Sequence, residues 1–332
     1  MMKRKILLLL IAALAGVAAG AAFTHVQAQT REQAAYPDHP IKLIVPFAAG
    51  GPTDIVGRIM AHGMEKELGQ SIIVENKPGG GSNIGTELVV RAKPDGYTLL
   101  LGSIANATNM SIYNNLNYDT AKDLVAITQF MTSPSVLVVN PSLPIHNLTE
   151  LVAYARANPG KLSFASSGAG GSPHLAGEML KLRMNIDLLH VPYKGASPAL
   201  NDVLGGNVSM GFMTAAGALP SIEGGKLRAI AVAGLQRLPQ LPDVPTMAEA
   251  GAPDFEVSSW NGLFAPTGTP PEVLKKLAET AQKVINQPEV QKQFESMASQ
   301  GVGGTPEQFK QYVQAETDKW AKVAKAANIK LN

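Results

Sequence analysis

Pro40-Ile41-Lys42-Leu43-Ile44-Val45-Pro46-Phe47-Ala48-Ala49-Gly50-Gly51-Pro52-Thr53-Asp54 decides how this chain is read. The apolar run ending at Pro46 reads as a buried strand, the two glycines as a turn, and Pro52 as the start of a helix. Proline loses nothing in a first helical turn, because its missing N–H would have no intrahelical acceptor there. The N–H groups of Thr53 and Asp54 then point out of the helix start without an obligatory partner. Glycine lets the backbone come close to whatever sits at that point, and a carboxylate or a phosphate suits such a helix start.

The same pattern is written a second time. Residues 161–165 read as a strand that runs into Ser166-Ser167-Gly168-Ala169-Gly170-Gly171-Ser172-Pro173-His174. Here Ser172 is the expected N-cap and Pro173 the first helical residue, with Leu175, Met179 and Leu182 on the buried face. Other strands are expected at 71–76, 97–101, 135–140, 187–191, 207–213, 227–232 and 260–266. Helices are expected at 52–68, 83–92, from 148, at 199–204 and from 271 onward, where Thr305-Pro306-Glu307-Gln308 forms a capping box. Strands alternating with helices through short loops predict an α/β fold with mostly parallel sheets and right-handed crossovers. Ligands in such folds sit beyond the carboxyl ends of the strands. The repeated plan predicts two lobes, 36–134 plus 262–332 and 135–261, joined by crossing strands near 135–140 and 260–266. The C-terminal helices are expected on the first lobe.

Composition narrows the function. Lys3, Arg4 and Lys5 precede an apolar, alanine-rich run, and Val26-Gln27-Ala28 offers small residues for cleavage. This reads as a secretory signal peptide over residues 1–28, removed after Ala28; a retained anchor is the alternative, but the run is short for a span. That leader carries three of the 28 basic residues and none of the 26 acids, so the exported chain sits near −1. Net charge therefore gives no reason to expect nucleic acid. Zero cysteines exclude disulfides and thiolate metal sites, and no cofactor is expected.

Catalytic motifs are mostly missing. Ser166 and Ser167 lack the glycine two residues before them that a nucleophile elbow needs. Gly168 to Pro173 has proline where the dinucleotide fingerprint wants its last glycine. The six histidines show no zinc spacing. His174, at the second helix start, suits packing and ligand contact equally, whereas His190 in an apolar strand reads as a hydrogen-bonded core residue. A hydrolase using Ser166 or Ser167 with His174 is the weakest of the functional readings.

A series of landmarks resembles one family. Tyr36-Pro37, Pro40-Ile41, Ile44-Val45-Pro46-Phe47, Gly50-Gly51, Asp54 and Arg58 resemble the N-terminal signature of the tripartite tricarboxylate transporter receptors, the Bug solute-binding proteins. The resemblance continues through Glu75-Asn76-Lys77-Pro78-Gly79, Pro94-Asp95-Gly96-Tyr97 and His174-Leu175-Ala176-Gly177-Glu178. Val191-Pro192-Tyr193-Lys194-Gly195, Pro242-Asp243-Val244-Pro245-Thr246 and Phe264-Ala265-Pro266 extend it to residue 266, in the family's order. It implies a monomeric periplasmic binding protein of the type II, Venus-flytrap kind that closes on a small carboxylate and delivers it to membrane permease subunits. Presentation to a sensor kinase is the alternative.

Carried over residue by residue, the implied ligand contacts are Phe47, Ala48, Ala49, Gly50, Gly51, Thr53 and Asp54 from the first loop. Ser166, Ser167, Gly168 and His174 come from the second, with Ser103 and Asn106 at another strand end and Tyr193 as a wall. Many relatives carry an acidic residue where Thr214 stands here, followed by Ala215. Threonine cannot pair with a ligand ammonium, which points away from amino acids and towards di- or tricarboxylates or aromatic acids.

Overall fold

The computed structural model describes residues 36–331, apart from 169 and 194. The expected signal peptide lies outside the described residues. The described chain opens with β1 (Ile41–Val45), α1 (Pro52–Leu68), β2 (Ile72–Asn76), a 3₁₀ turn (Gly80–Ser82), α2 (Asn83–Val90), β3 (Thr98–Ser103), α3 (Ile104–Ile112) and α4 (Thr120–Asp123). Then follow β4 (Leu124–Val139), α5 (Leu148–Ala157), β5 (Ser163–Ser166), α6 (Ser172–Met184), β6 (Leu189–Pro192), α7 (Ala196–Leu204), β7 (Met210–Thr214), α8 (Ala215–Glu223) and β8 (Arg228–Val232). The chain closes with β9 (Ser258–Pro266), α9 (Pro271–Ile285), α10 (Pro288–Ser296), β10 (Gln300–Gly303) and α11 (Pro306–Ala326).

Strand order is β2-β1-β3-β9-β4-β7-β5-β6, with β8 and β10 also paired to β4. Pairing is parallel at the two flanks, where β1 lies between β2 and β3 and β5 between β6 and β7. At the centre every pairing is antiparallel, because the chain leaves one lobe on β4 and returns on β9 in the opposite direction. The sheet is thus mixed, and the parallel arrangement expected from strand–helix alternation describes its flanks.

β4 is the element that both lobes share. It begins at Leu124, well before the expected 135–140 segment, and runs for 16 residues. Through Pro134 it faces β9; from Ser135 it faces β7 and β8. Proline has no N–H to give a ladder, and the change of partners falls on it.

Amphipathic helices cover the sheet. α1 buries Val56, Met60 and Met64 and ends at Gly69, whose φ of 68° is the left-handed C-cap geometry. α9 buries Val273, Leu277, Ala281 and Val284 and packs on α1 and β4. α11 carries the expected capping box between Thr305 and Gln308 and packs on α3 and β4, reaching α6 of the second lobe as well. Trp260 on β9 meets Phe309 of α11 edge to face at 5.7 Å, and Phe264 lies 5.0 Å from the same ring. These aromatic contacts fasten α11 to the returning strand. No helix among the described residues is long and apolar enough to cross a membrane.

Candidate ligand-binding site

The turn after β1 is held from behind. Gly50 adopts φ 78°, a conformation that costs a side-chain-bearing residue free energy. Its N–H donates to Asp54 Oδ2 at 2.8 Å, and the same carboxylate accepts from Arg58 Nε at 3.0 Å and Asn76 Nδ2 at 2.9 Å. Asn76 Nδ2 also donates to Phe47 O at 3.1 Å. Burial pushes the Asp54 carboxyl up, but Arg58, the Gly50 N–H and Asn76 together outweigh it and hold the group below its ordinary 3.8. Asp54 is therefore a fully engaged anion whose charge Arg58 matches. It braces the loop and does not form part of the cavity wall.

The turn after β5 is braced differently. The Gly170 N–H donates to His174 Nδ1 at 2.9 Å, and Ser166 Oγ lies 2.7 Å from His190 Nε2. The two imidazoles stack at 3.9 Å, and His190 stacks on Phe164 at 4.8 Å. Burial lowers His174 to about 3, with help from His190 and Lys181, and lowers His190 to about 4. Both rings are neutral, and His174 must be so if Nδ1 is to accept a hydrogen bond. Gly171, not Ser172, is the N-cap of α6. The serine lies one residue inside the helix, with Pro173 next, and its hydroxyl sits 3.2 Å from Ser259 Oγ on β9. Ser166 pairs with His190 rather than His174, and neither Ser166 nor His174 reaches the cavity wall.

Two further expected residues also stand away from the wall. Asn106 is buried, accepts the Ser103 N–H at 2.9 Å and donates to Thr86 Oγ1 at 3.1 Å, closing the capping box of α3. The Tyr193 hydroxyl donates to the Asp202 carboxylate. Phe47, Ala48, Ala49, Gly50, Gly51 and Thr53 do line one cavity, together with Ser103, Ser167, Gly168 and Thr214.

That cavity has a volume of about 450 Å³ and lies where five helices begin. α1 contributes Pro52 and Thr53, α3 Ile104 and Ala105, α6 Ser172 and Pro173, α7 Ala196 and Ser197, and α8 Ala216. Only α3 is closed by a side-chain cap; α1, α6, α7 and α8 have none. Their first N–H groups have no intrahelical acceptor and carry the positive end of each helix dipole. Among the described residues no charged side chain lines the cavity. The arrangement offers an anion several uncharged donors against apolar walls such as Phe47, Ile104 and Trp260. No group of three metal-ligating side chains occurs among the described residues.

Several lining residues escaped the reading of the sequence. Gly195-Ala196-Ser197-Pro198 repeats the glycine-then-proline helix start, a signal that was present but unused. Ser259 and Asn261 are polar positions on β9 that flank the apolar Trp260, and Asn261 Nδ2 donates to Gly102 O at 3.2 Å. Met297, beyond α10, reaches the cavity through tertiary folding alone.

Residues 56–329 match the tripartite tricarboxylate transporter family receptor. The chain is 41% identical over 310 residues, 92% of each chain, to a UPF0065 protein in the tcbD-tcbE intergenic region of Pseudomonas sp. strain P51. Among solved structures it is similar to Rpa4515 of R. palustris with adipate, at TM-score 0.83 and 33% identity over 89% of this chain and 99% of that one. MatC from Rhodopseudomonas palustris with bound malate gives TM-score 0.78 and 32% identity, covering 87% of this chain and 99% of that one.

Proposed function

We propose that this chain, which belongs to the tripartite tricarboxylate transporter receptor family, captures a small carboxylate in the cavity at the five helix starts and delivers it to membrane permease subunits. The family comprises periplasmic solute receptors and not enzymes. The observation that carries the reading is the convergence of four uncapped helix starts on a cavity that no charged side chain lines among the described residues. The ligand class is a di- or tricarboxylate or an aromatic acid; adipate in Rpa4515 and malate in MatC support a carboxylate here.

Magnitudes are adequate without a buried cation. Each helix start contributes about 0.3–1 kcal/mol towards an anion, and each hydrogen bond to a charge about 1.5–3 kcal/mol. A few of them supply the roughly 8 kcal/mol of a micromolar complex. A buried arginine would be an uncompensated charge whenever the cleft stood empty. Backbone and hydroxyl donors are hydrated instead, which leaves loading and release both accessible.

The lobes are 36–134 plus 262–332 and 135–261, and closure bends the molecule where β4 changes partners at Pro134–Ser135 and where β9 begins at Ser258. Export by the leader at residues 1–28 would bring the chain, as a monomer, to the periplasm. A thermal-shift screen over mono-, di-, tri- and aromatic carboxylates, followed by small-angle scattering, tests the reading. The expected result is stabilisation by at least one acid and a smaller radius of gyration at saturation; no shift with any acid would end the proposal.

A further inference from the structure

A second chamber of about 320 Å³ opens beside the first. The two share eight lining residues, among them Gly50, Ala196, Ser197, Met213, Thr214 and Met297, and so adjoin along the starts of α1, α7 and α8. What the second chamber adds is Ile55, Leu200, Gly217 and Ser296, and of these the two large side chains are apolar. Ile55 lies on the outer side of α1 and is 42% exposed, where packing against the sheet gives no reason for isoleucine. Leu200 of α7 faces the space from the other lobe. Met213 and Met297, which border both chambers, are unbranched and adapt to differently shaped apolar partners. Among the described residues no charged side chain lines the second chamber. A second carboxylate placed there would lose water without gaining a counter-ion, whereas a hydrocarbon would remove Ile55 and Leu200 from water.

Resting on the carboxylate reading above, we propose that the chain selects elongated acids: a carboxylate head in the first chamber and an apolar aliphatic or aromatic body passing Thr214 and Ala216 into the second. Titration calorimetry with butanoate, hexanoate and octanoate tests this on the wild type, on Ile55→Ser and on Ile55→Ser/Leu200→Ser. Ile55 is exposed and its single variant keeps the fold, so the result survives any instability of the double variant. In the wild type the Kd should fall roughly two- to fourfold per added methylene. The variants should hold the butanoate Kd within about twofold and lose most of the gradient. A flat series in the wild type, with butanoate bound, overturns the proposal and leaves the carboxylate reading standing. So does a full gradient retained by the double variant. If no member of the series binds while another acid of the thermal-shift panel does, this proposal fails and the carboxylate reading stands; if no acid of that panel binds, both fail.

Discussion

The two glycine turns share one local plan and rest on opposite chemistry. Behind the first stands an ion pair, Asp54 with Arg58, tied to the strand by Asn76. Behind the second stands a neutral column of rings, His174 on His190 on Phe164, with Ser166 against the middle ring. Each brace fixes one glycine N–H, that of Gly50 through a carboxylate and that of Gly170 through an imidazole nitrogen. Geometry alone therefore does not dictate the buttress. What differs is the condition under which each gives way. Asp54, held below 3.8, contributes stability that is present above that pH and lost only below it. His174, lowered from 6.5 to about 3, contributes stability that is full above 6.5 and is lost as pH falls through that window.

The largest expected effect tests whether the two turns are equal partners in binding. Gly51 and Gly171 both have ordinary negative φ, and a Cβ at either would meet neighbours no closer than 3.6 Å. Leucine at either position should fill the cavity and weaken carboxylate binding by roughly 100-fold or more, about 3 kcal/mol. The Tm should fall by no more than about 3 °C. If only one substitution weakens binding, the site belongs to one loop and the symmetry is broken.

An intermediate effect separates the braces. Asparagine at position 174 keeps an acceptor for the Gly170 N–H and cannot titrate. Between pH 7 and 5 the wild type should lose about 2 kcal/mol that His174→Asn retains, read from urea midpoints. Asp54 contributes nothing to the difference in that range. Parallel curves would mean that His174 charges freely and the ring column is no brace. The smallest effect is Tyr193→Phe. Its hydroxyl serves Asp202 rather than the cavity, so stability should move by at most about 0.5 kcal/mol and the Kd by less than about twofold. A larger change in Kd would place the ring against the ligand.

The glycine turns were legible because their residue types are local devices: proline in a first turn, glycine at a cap, an apolar run before both. Much of the framework between them was not. The part of β4 up to Pro134 contains Gln129, Thr132, Ser133 and Pro134, which interrupt the apolar signal; that stretch is a strand because β9 and β10 flank it. α3, Ile-Ala-Asn-Ala-Thr-Asn-Met-Ser-Ile, is buried on nearly all sides, so no amphipathic period marks it. α8 holds Gly217 and Pro220 within nine residues and reads as a turn until its N-terminus is seen at the cavity. For the same reason Asp54, Asn106, Ser166 and His174 were legible as neighbours of the site but not as its supports. Which side of a loop a side chain takes depends on partners far along the chain, as Asn76 and His190 are here.

The neutral wall of the cavity has a consequence in time as well as in affinity. Among the described residues no charged side chain lines the wall, so the lining side chains exert no long-range pull on an approaching solute. Encounter then proceeds without electrostatic acceleration, and salt has little to screen. On the carboxylate reading proposed above, discrimination among acids would then fall to the lifetime of the bound complex. Such a receptor samples its surroundings indiscriminately and sorts by how long it holds on.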